Sequence, residues 1–310
     1  MTIEKYYKIA KNKWDDFVKH SKNASFLFYR DYMEYHENRF TDHSYIISHN
    51  GKIVAILPAC REGDTLVSHG GLTYGGVLSG DKMTTPMMLG VFDALLVRAK
   101  QDGFSQIIYK PCPSVYHAYP ADEDLYALYA SGARLVRRDV SSILNPSDYP
   151  KMQERRKRSI KKASKVGIEC RESDNLKEFW DILCAVLKQN HGTSPVHSLS
   201  EIKMLQCRFP RNIRLFGAYQ EEQLVAGTLV FENTNVAHTQ YIASSDAGRN
   251  VGALDFVFND LISKEYANKR WLSFGVSTEN QGKLLNQGLI EQKEGFGARA
   301  CVHDVYQIDV

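Results

Sequence analysis

The chain has 310 residues, of which 43% are hydrophobic and 24% are charged, and its formal net charge at pH 7 is +3. This composition is that of a soluble globular protein, and the length favours two domains over one large domain. No run of eighteen apolar residues is present and the N-terminus has no apolar secretory region, so we expect neither a transmembrane helix nor a signal peptide.

The six cysteines are scattered along the chain, at Cys60, Cys112, Cys170, Cys184, Cys207 and Cys301. None forms a CxxC pair, and none has a histidine at zinc-ligand spacing. This pattern indicates reduced thiols in a cytoplasmic protein, and we expect no metal site.

The first half of the chain predicts a mixed α/β unit. Helices are predicted at residues 14–19, 29–38, 85–101 and 123–130, and strands at 44–48, 52–58, 106–109 and 134–144. The HNG sequence between the first two strands is a hairpin signal, while glycines break residues 65–77 into short strand-like pieces. The helix at 85–101 has apolar residues at i, i+3 and i+4 spacing, which is typical of a helix with one buried face.

Asn145 begins the sequence NPSDYP, whose two prolines and turn-forming residues predict a domain boundary. We therefore divide the chain into an N-terminal domain, 1–145, and a C-terminal domain, 146–310, and we expect the C-terminal strand to pack near the first domain. The next segment, 151–165, carries eight Lys or Arg residues and one Glu. Its charge of +7 leaves −4 for the rest of the chain, so the basic excess is confined to one predicted helix.

The second half repeats the organisation of the first. Helices are predicted at residues 175–189, 200–208 and 249–267, and strands at 213–219, 223–231, 236–243, 271–276 and 301–308. Both halves share the order hairpin, strand, helix, strand. This weak repeat suggests two copies of one α/β unit.

The sequence SSDAGRNVGALDFVF, which begins at Ser244, joins a predicted strand to the last long helix. Small residues at a helix start let a ligand approach unpaired backbone N–H groups, where an anion is stabilised. This turn is therefore a candidate pyrophosphate cradle. Its residues are Arg249, Asn250, Val251, Gly252 and Ala253. The alternative is an ordinary N-cap by Asp246 or Ser245, with the glycine permitting close packing.

The turn resembles the acyl-CoA-binding turn of the GNAT N-acyltransferase superfamily, R/Q-x-x-G-x-G/A, although the last small residue, Ala253, comes one position early. Asn280 and the Gly295-Phe296 pair follow the superfamily's downstream order. The resemblance implies an acyl-CoA donor bound at residues 249–253 and at Asn280. Gln287 stands where many GNAT enzymes have a general-acid tyrosine, which departs from a simple acetyl-CoA mechanism.

Nearly the whole chain resembles the FemABX-like branch, which carries two GNAT-like folds in tandem. The resemblance rests on the segments RKRSIKKASKVGIE, GRNVGALDFVF, LSFG and QKEGFGARACVHDVY. It implies an α/β (α+β) fold of two tandem GNAT-like mixed-sheet domains. FemABX enzymes move an aminoacyl group from aminoacyl-tRNA onto a peptidoglycan precursor, and shorter relatives resemble acyl-CoA-dependent N-acyltransferases of cell-surface sugars or lipids.

Two residues are candidates for the chemistry. Lys293 lies in the family's K-x-x-F-G pattern, and the resemblance implies that it neutralises an acceptor phosphate or assists the acyl oxyanion; the alternative is a solvated loop lysine. His238 lies on the strand that borders the acyl thioester in the GNAT layout, as a catalytic base or as a core histidine.

Acceptor-binding candidates come from three segments. Arg158 and Lys161 share one face of the basic helix and could contact the phosphate of a nucleotide-linked acceptor, a lipid headgroup or tRNA; the alternative is a solvated face. His191 and His197 flank a proline in a predicted loop, with no third ligand for a metal. Tyr74 lies in the glycine-rich sequence HGGLTYGG.

The sequence contains no Ser-His-Asp order, nucleophile elbow or P-loop, so direct transfer without a covalent enzyme intermediate is the simplest chemistry. We expect N-acyl transfer from acyl-CoA to an amine of a cell-envelope or polysaccharide-related acceptor, either a small molecule or a lipid- or nucleotide-linked one. Two alternatives stay open: an aminoacyl-tRNA-dependent FemABX-type peptidyltransferase, and a non-catalytic, degenerate GNAT-like binding module. We expect no DNA partner.

Overall fold

The computed structural model describes the backbone of all 310 residues and every side chain except that of His191. The fold is α/β, with helices beside mixed sheets, as the sequence predicts. Two compact units are present. Unit 1 comprises Met1–Val140, Thr278–Leu284 and Val302–Val310, and unit 2 comprises Ser141–Ser277 and Leu285–Cys301. The division into domains 1–145 and 146–310 remains a prediction.

The first half of the chain contains four α-helices and nine strands. The helices are α1 (Lys11–His20), α2 (Arg30–Met33), α3 (Thr85–Gln101) and α4 (Glu123–Ala130). The strands are β1 (Thr2–Lys5), β2 (Thr41–Asp42), β3 (Tyr45–His49), β4 (Lys52–Leu57), β5 (Cys60–Glu62), β6 (Thr65–Val67), β7 (Leu78–Ser79), β8 (Gln106–Tyr109) and β9 (Arg134–Leu144). Short 3₁₀ turns lie at Lys8–Ala10, Phe26–Phe28, Glu34–His36 and Ser114–Tyr116.

The second half contains six α-helices and eight strands. The helices are α5 (Glu154–Lys165), α6 (Leu176–His191), α7 (Leu199–Arg208), α8 (Asp246–Val251), α9 (Ala253–Asp260) and α10 (Gln287–Glu294), and a π-helical turn at Leu261–Glu265 follows α9. The strands are β10 (Ile168–Ser173), β11 (Ile213–Gln220), β12 (Gln223–Glu232), β13 (Val236–Ser244), β14 (Trp271–Val276), β15 (Thr278–Glu279), β16 (Leu284–Leu285) and β17 (Arg299–Asp309).

Unit 1 has two groups of strands. The first runs in the order β1-β3-β4-β7, and the second in the order β17-β8-β6-β5-β2. Strands β6 and β8 are parallel and are joined through α3, because parallel neighbours need a crossover connection. The last residues of the chain complete this group, since β17 pairs with β8 from Tyr306 to Asp309.

Unit 2 has one twisted run of strands in the order β10-β11-β12-β13-β14-β9. Its strands are antiparallel neighbours except for β13 and β14, which are parallel and are joined through α8 and α9. The succession of a hairpin, a strand, a crossover helix and a parallel strand thus occurs in both units. The sequence repeat predicted the same succession.

Each unit has its own apolar core. In unit 1 the buried face of α3 supplies Val91, Phe92 and Leu95, which pack with the strands around Tyr109. In unit 2 three aromatic rings form the centre, with Phe258 lying 4.9 Å from Phe274 and 5.2 Å from Phe296 between ring centroids. Burying rings of this size dominates the favourable free energy of a core.

The predicted helix at 249–267 is wrong in its limits and in its continuity. The helical segment begins at Asp246, is interrupted at Gly252 and ends in the π-helical turn. Gly252 has a φ of +79°, the left-handed conformation that glycine adopts without a Cβ penalty. The apolar periodicity continues across this residue, so it gives no sign of the break.

Candidate functional site

Strands β13 and β14 form a wedge. They pair only over their first three residues, from Val236 opposite Trp271 to His238 opposite Ser273. At that point the Ser273 hydroxyl is 3.0 Å from Nδ1 of His238, and two residues later Gly275 takes a φ of +73°. No ladder pair joins β13 and β14 beyond it among the described residues, so the two strands separate toward their carboxyl ends.

A cavity of about 460 Å³ lies in unit 2 beside this wedge. Its wall combines the end of β13 (Ile242, Ala243, Ser244), Phe274 of β14, residues of α9 (Leu254, Asp255, Phe258), residues of α10 (Leu289, Gln292, Lys293) and Phe296, which lies two residues after α10 ends. Helices α5 and α6 and the turn after β13 complete it with Arg156, Ser159, Val186, Asn190, Gly248, Arg249 and Gly252. Most of this wall is apolar, which is typical of a ligand pocket with a few placed polar groups.

Lys293 is a buried basic residue on the wall of this cavity. Its side chain is 4% exposed, and its Nζ donates hydrogen bonds to the backbone oxygens of Gly275 at 2.9 Å and Val276 at 2.6 Å. Burial lowers the pKa of Lys293 to about 7, because the charged form is poorly solvated there. An ammonium has three N–H donors, and these contacts use two of them.

An ion pair between Arg156 and Asp255 forms part of the same wall. Nη1 of Arg156 is 2.9 Å and 3.2 Å from the two carboxylate oxygens, and the guanidinium lies 5.2 Å from the centre of the Phe296 ring. Both side chains are mostly buried. The carboxylate is therefore neutralised within the protein, and it does not confer an uncompensated negative charge on the cavity.

The turn after β13 is a short capped helix. The hydroxyl of Ser245 accepts a hydrogen bond from the Gly248 amide at 3.1 Å, and Nη1 of Arg249 donates to the Ser244 carbonyl at 2.9 Å. The Arg249 guanidinium also pairs with Asp246 at the surface. Ser245 thus acts as the N-cap that the sequence allowed.

Gly252 permits close packing of helix α5. A Cβ at this position would lie 2.2 Å from the hydroxyl and 2.9 Å from the carbonyl oxygen of Ser159. The backbone of Asn250 faces the same helix, since its carbonyl accepts from Nζ of Lys162 at 2.6 Å. Val251 packs on the core and Ala253 is buried.

The structure brings three of the predicted residues together on the cavity wall, namely Arg249, Gly252 and Lys293. Among the described residues, Asn250, Val251 and Ala253 do not line it. His238 is half-buried on β13 beside Ser273 and is not part of the wall either. Asn280 is exposed and belongs to unit 1.

The predicted acceptor residues are dispersed. Tyr74 is 3% exposed in the core of unit 1, where its hydroxyl donates to Ser25, so it offers no surface to an acceptor. His197 is buried against Tyr241, with Nδ1 2.7 Å from the tyrosine oxygen. The side chain of His191 lies outside the described residues. Arg158 and Lys161 are exposed on α5.

Sequence reasoning missed the Arg156–Asp255 pair and the apolar wall. One signal was available, because Asp255 is a lone carboxylate within the apolar run ALDFVF, where an unpaired charge would be costly. Its partner was hidden among the many basic residues of α5. The aromatic residues of the wall have no local pattern that separates them from ordinary core residues.

The described residues contain no group of three or more His, Cys, Asp or Glu side chains that could hold a metal ion. No helix among them is both long enough and apolar enough to cross a bilayer. The cysteines of the described residues form no disulfide.

Comparison with known proteins gives structural matches but no sequence match. No family model and no curated protein matches the chain. It is similar to FemX, with a TM-score of 0.70 and 13% identity over 100% of this chain and 98% of that one. It is also similar to L-PGS from Bacillus licheniformis, with a TM-score of 0.62 and 12% identity over 95% of this chain and 90% of that one. A third similar structure is a GNAT-family acetyltransferase from Colwellia psychrerythraea, with a TM-score of 0.51 and 11% identity over 100% of both chains.

These likenesses, together with the wedge and the repeated unit, define the fold class as GNAT-like. Within that class the arrangement is the FemX type, with two GNAT-like units in one chain. The fold resemblance stated from sequence is therefore confirmed.

Proposed function

We propose that unit 2 catalyses N-acyl transfer from a nucleotide-carried donor, acyl-CoA, to the amine of an acceptor related to the cell envelope or to a polysaccharide. The observation that carries this proposal is the cavity beside the β13–β14 wedge, with Lys293 buried in its wall. A thioester inserted there would have its carbonyl enclosed by apolar side chains and close to one available cationic donor. Exclusion of water strengthens such an electrostatic contact.

The chemistry needs an uncharged amine, an oriented acyl carbon and a donor for the oxyanion. The amine attacks the thioester carbonyl, the negative charge passes to the carbonyl oxygen, and collapse releases the thiolate with loss of a proton from the new amide nitrogen. Protonated Lys293 can donate its third N–H to the oxyanion. Neutral Lys293, which a pKa of about 7 permits at neutral pH, can instead accept the amine's proton; when Lys293 is protonated, that proton passes to the departing thiolate.

The donor's phosphates are assigned to the mouth of the cavity. Arg249 is exposed there, and its pair with Asp246 is a surface ion pair of at most about 1 kcal/mol, which a phosphate could replace. The first amides of α9 follow Gly252 at the same wall. The sequence resemblance alone supports two further proposals, Asn280 for donor binding and His238 for proton transfer, and neither residue lines the cavity.

A second donor, aminoacyl-tRNA, is favoured by one observation. The amides of Gly248, Arg249 and Gly252 already bond within the turn, and Ser159 occupies the space beside Gly252. A CoA pyrophosphate would therefore find fewer free amides in the turn than the sequence motif suggests. A donor whose carrier phosphates lie elsewhere would not need them.

The proposal is tested by calorimetry and turnover with a panel of acyl-CoAs. Arg249→Glu should weaken CoA binding at least tenfold, whereas the matched variant Arg211→Glu, which changes an exposed arginine outside the cavity, should not. Lys293→Met should keep CoA affinity and lower turnover by about 10²–10³-fold, the usual loss for an oxyanion donor.

The alternatives give different results. Absence of any acyl-CoA effect together with transfer from aminoacyl-tRNA would replace the donor. Tight acceptor binding without turnover from either donor would identify a non-catalytic binding module, and the transfer proposal would then fail.

A further inference from the structure

A second concave surface of unit 2 lies against another face of helix α5. Arg156 and Ser159 line the cavity described above, whereas this second depression, of about 690 Å³, lies against the side that carries Ile160. We call it the α5 groove. It is lined by Tyr149, Lys151, Met152, Lys157, Ile160, Lys161, Ser164, Phe256 and Asn259.

The α5 groove combines a cationic rim with an apolar floor. Its three lysines are exposed, whereas Met152, Ile160 and Phe256 are half-buried, and none of its lining residues is acidic. Long lysine side chains suit this arrangement, because their methylene stems cover apolar surface while the ammonium groups reach outward.

The positive charge of α5 is largely uncompensated. Its single acidic residue, Glu154, pairs with Lys157. Among the described residues, no carboxylate lies within ion-pair distance of Lys151, Arg158, Lys161 or Lys165. Just after the helix, Val166 is a surface apolar residue with 42% exposure. The segment is therefore basic and amphipathic, and it carries its charge on accessible side chains.

We propose that the α5 groove docks unit 2 on an anionic phospholipid surface, with lipid phosphates at Lys151 and Lys161 and the glycerol and upper acyl region against Ile160. The pairing of cations with an apolar floor is the signature of interfacial binding. A nucleic acid would need aromatic rings free to stack on bases. Tyr149 and Phe256 line the groove but are half-buried and pack against the core of unit 2, so each presents only part of its ring. The inference concerns binding alone and does not depend on the proposed transfer reaction.

The test is co-sedimentation of the full chain with vesicles of equimolar phosphatidylglycerol and phosphatidylcholine, and with vesicles of phosphatidylcholine alone. We expect binding to the anionic vesicles only, weakening as salt rises. Lys151→Gln/Lys161→Gln should lower the partition coefficient by roughly tenfold or more. The matched control, Lys13→Gln/Lys19→Gln, removes the same charge from exposed positions on α1 and should have little effect.

A second variant separates lipid from other polyanions. Ile160→Gln keeps the charge of the groove but removes part of its apolar floor. It should therefore weaken vesicle binding and leave the affinity for bulk tRNA unchanged. A thermal melt checks that the variant folds. Three results would overturn the proposal. The first is no binding of the protein to anionic vesicles, and the second is an equal loss of binding in the two lysine double variants. The third is displacement of the protein from the vesicles by inorganic phosphate or tRNA at a lower concentration than that of the lipid.

Discussion

The titration of Lys293 can be read from protein stability, independently of any substrate. Its pKa is about 7 in the folded protein against an ordinary value of 10.5. Between these two values the unfolded chain holds a proton on this lysine that the folded protein does not. Stability must therefore rise with pH across that interval.

The size of the effect follows from the two pKa values. The slope approaches about 1.4 kcal/mol per pH unit above the folded pKa, so the free energy of unfolding should gain about 2 kcal/mol from this lysine between pH 7 and pH 9. Below about pH 6 both states are protonated and the contribution is constant. Lys293→Met removes the titration while keeping a long side chain in the cavity wall.

The assay is urea unfolding of wild type and Lys293→Met at several pH values. The quantity compared is the difference between their free energies of unfolding at each pH. Groups common to both proteins cancel in this difference. Lys283→Met, which removes a lysine from the exposed surface, is the control and should show a smaller pH dependence. If the difference in the free energy of unfolding does not change between pH 7 and pH 9, the carbonyls of Gly275 and Val276 keep the ammonium charged. Lys293 would then not act as the proton acceptor.

Three further predictions concern packing and buried charge. Gly252→Ala should destabilise unit 2 by about 2 kcal/mol or more, because its Cβ would meet the Ser159 hydroxyl. The control Gly167→Ala has a similar φ but lies in open space, so it should cost about 1 kcal/mol. Equal losses of stability in thermal melts would contradict the contact with Ser159. Asp255→Asn should cost about 3 kcal/mol in urea unfolding, since it leaves a mostly buried guanidinium without its counter-charge; a loss below about 1 kcal/mol would mean that the pair is well solvated. In unit 1, burial raises the pKa of Asp124 from 3.8 to about 7. Between these two values the folded protein holds a proton on Asp124 that the unfolded chain has lost, so the free energy of unfolding should fall as pH rises from about 4 to about 7. Wild type minus Asp124→Asn should show that falling slope, and a rising one would refute it.

The sequence carried most of the local structure. Regular apolar spacing predicted α3, because a helix with one buried face must repeat every three or four residues, and the predicted limits, Thr85 and Gln101, are those of the structure. The concentration of lysine and arginine likewise predicted α5 as one basic helix. The repeated order of elements, with the FemABX-like segments, predicted the tandem fold.

Tertiary structure decided the site. Lys293 is buried in unit 2, where it donates to the carbonyls of Gly275 and Val276 at the end of β14, which precedes α10 in the chain. Tyr74, which has the sequence context of an exposed glycine-rich loop, became a core residue. In both cases the environment comes from residues distant in sequence, so no local pattern records it.

The same reason explains the turn after β13. Its sequence specified small residues and an arginine, and these suit both an anion cradle and a packed helix cap. The approach of Ser159 to Gly252 selected close packing at that residue, whereas separation of β13 from β14 left a cavity beside it. Short-range propensities fix which residues are helical or extended, but the space between elements depends on how distant segments pack.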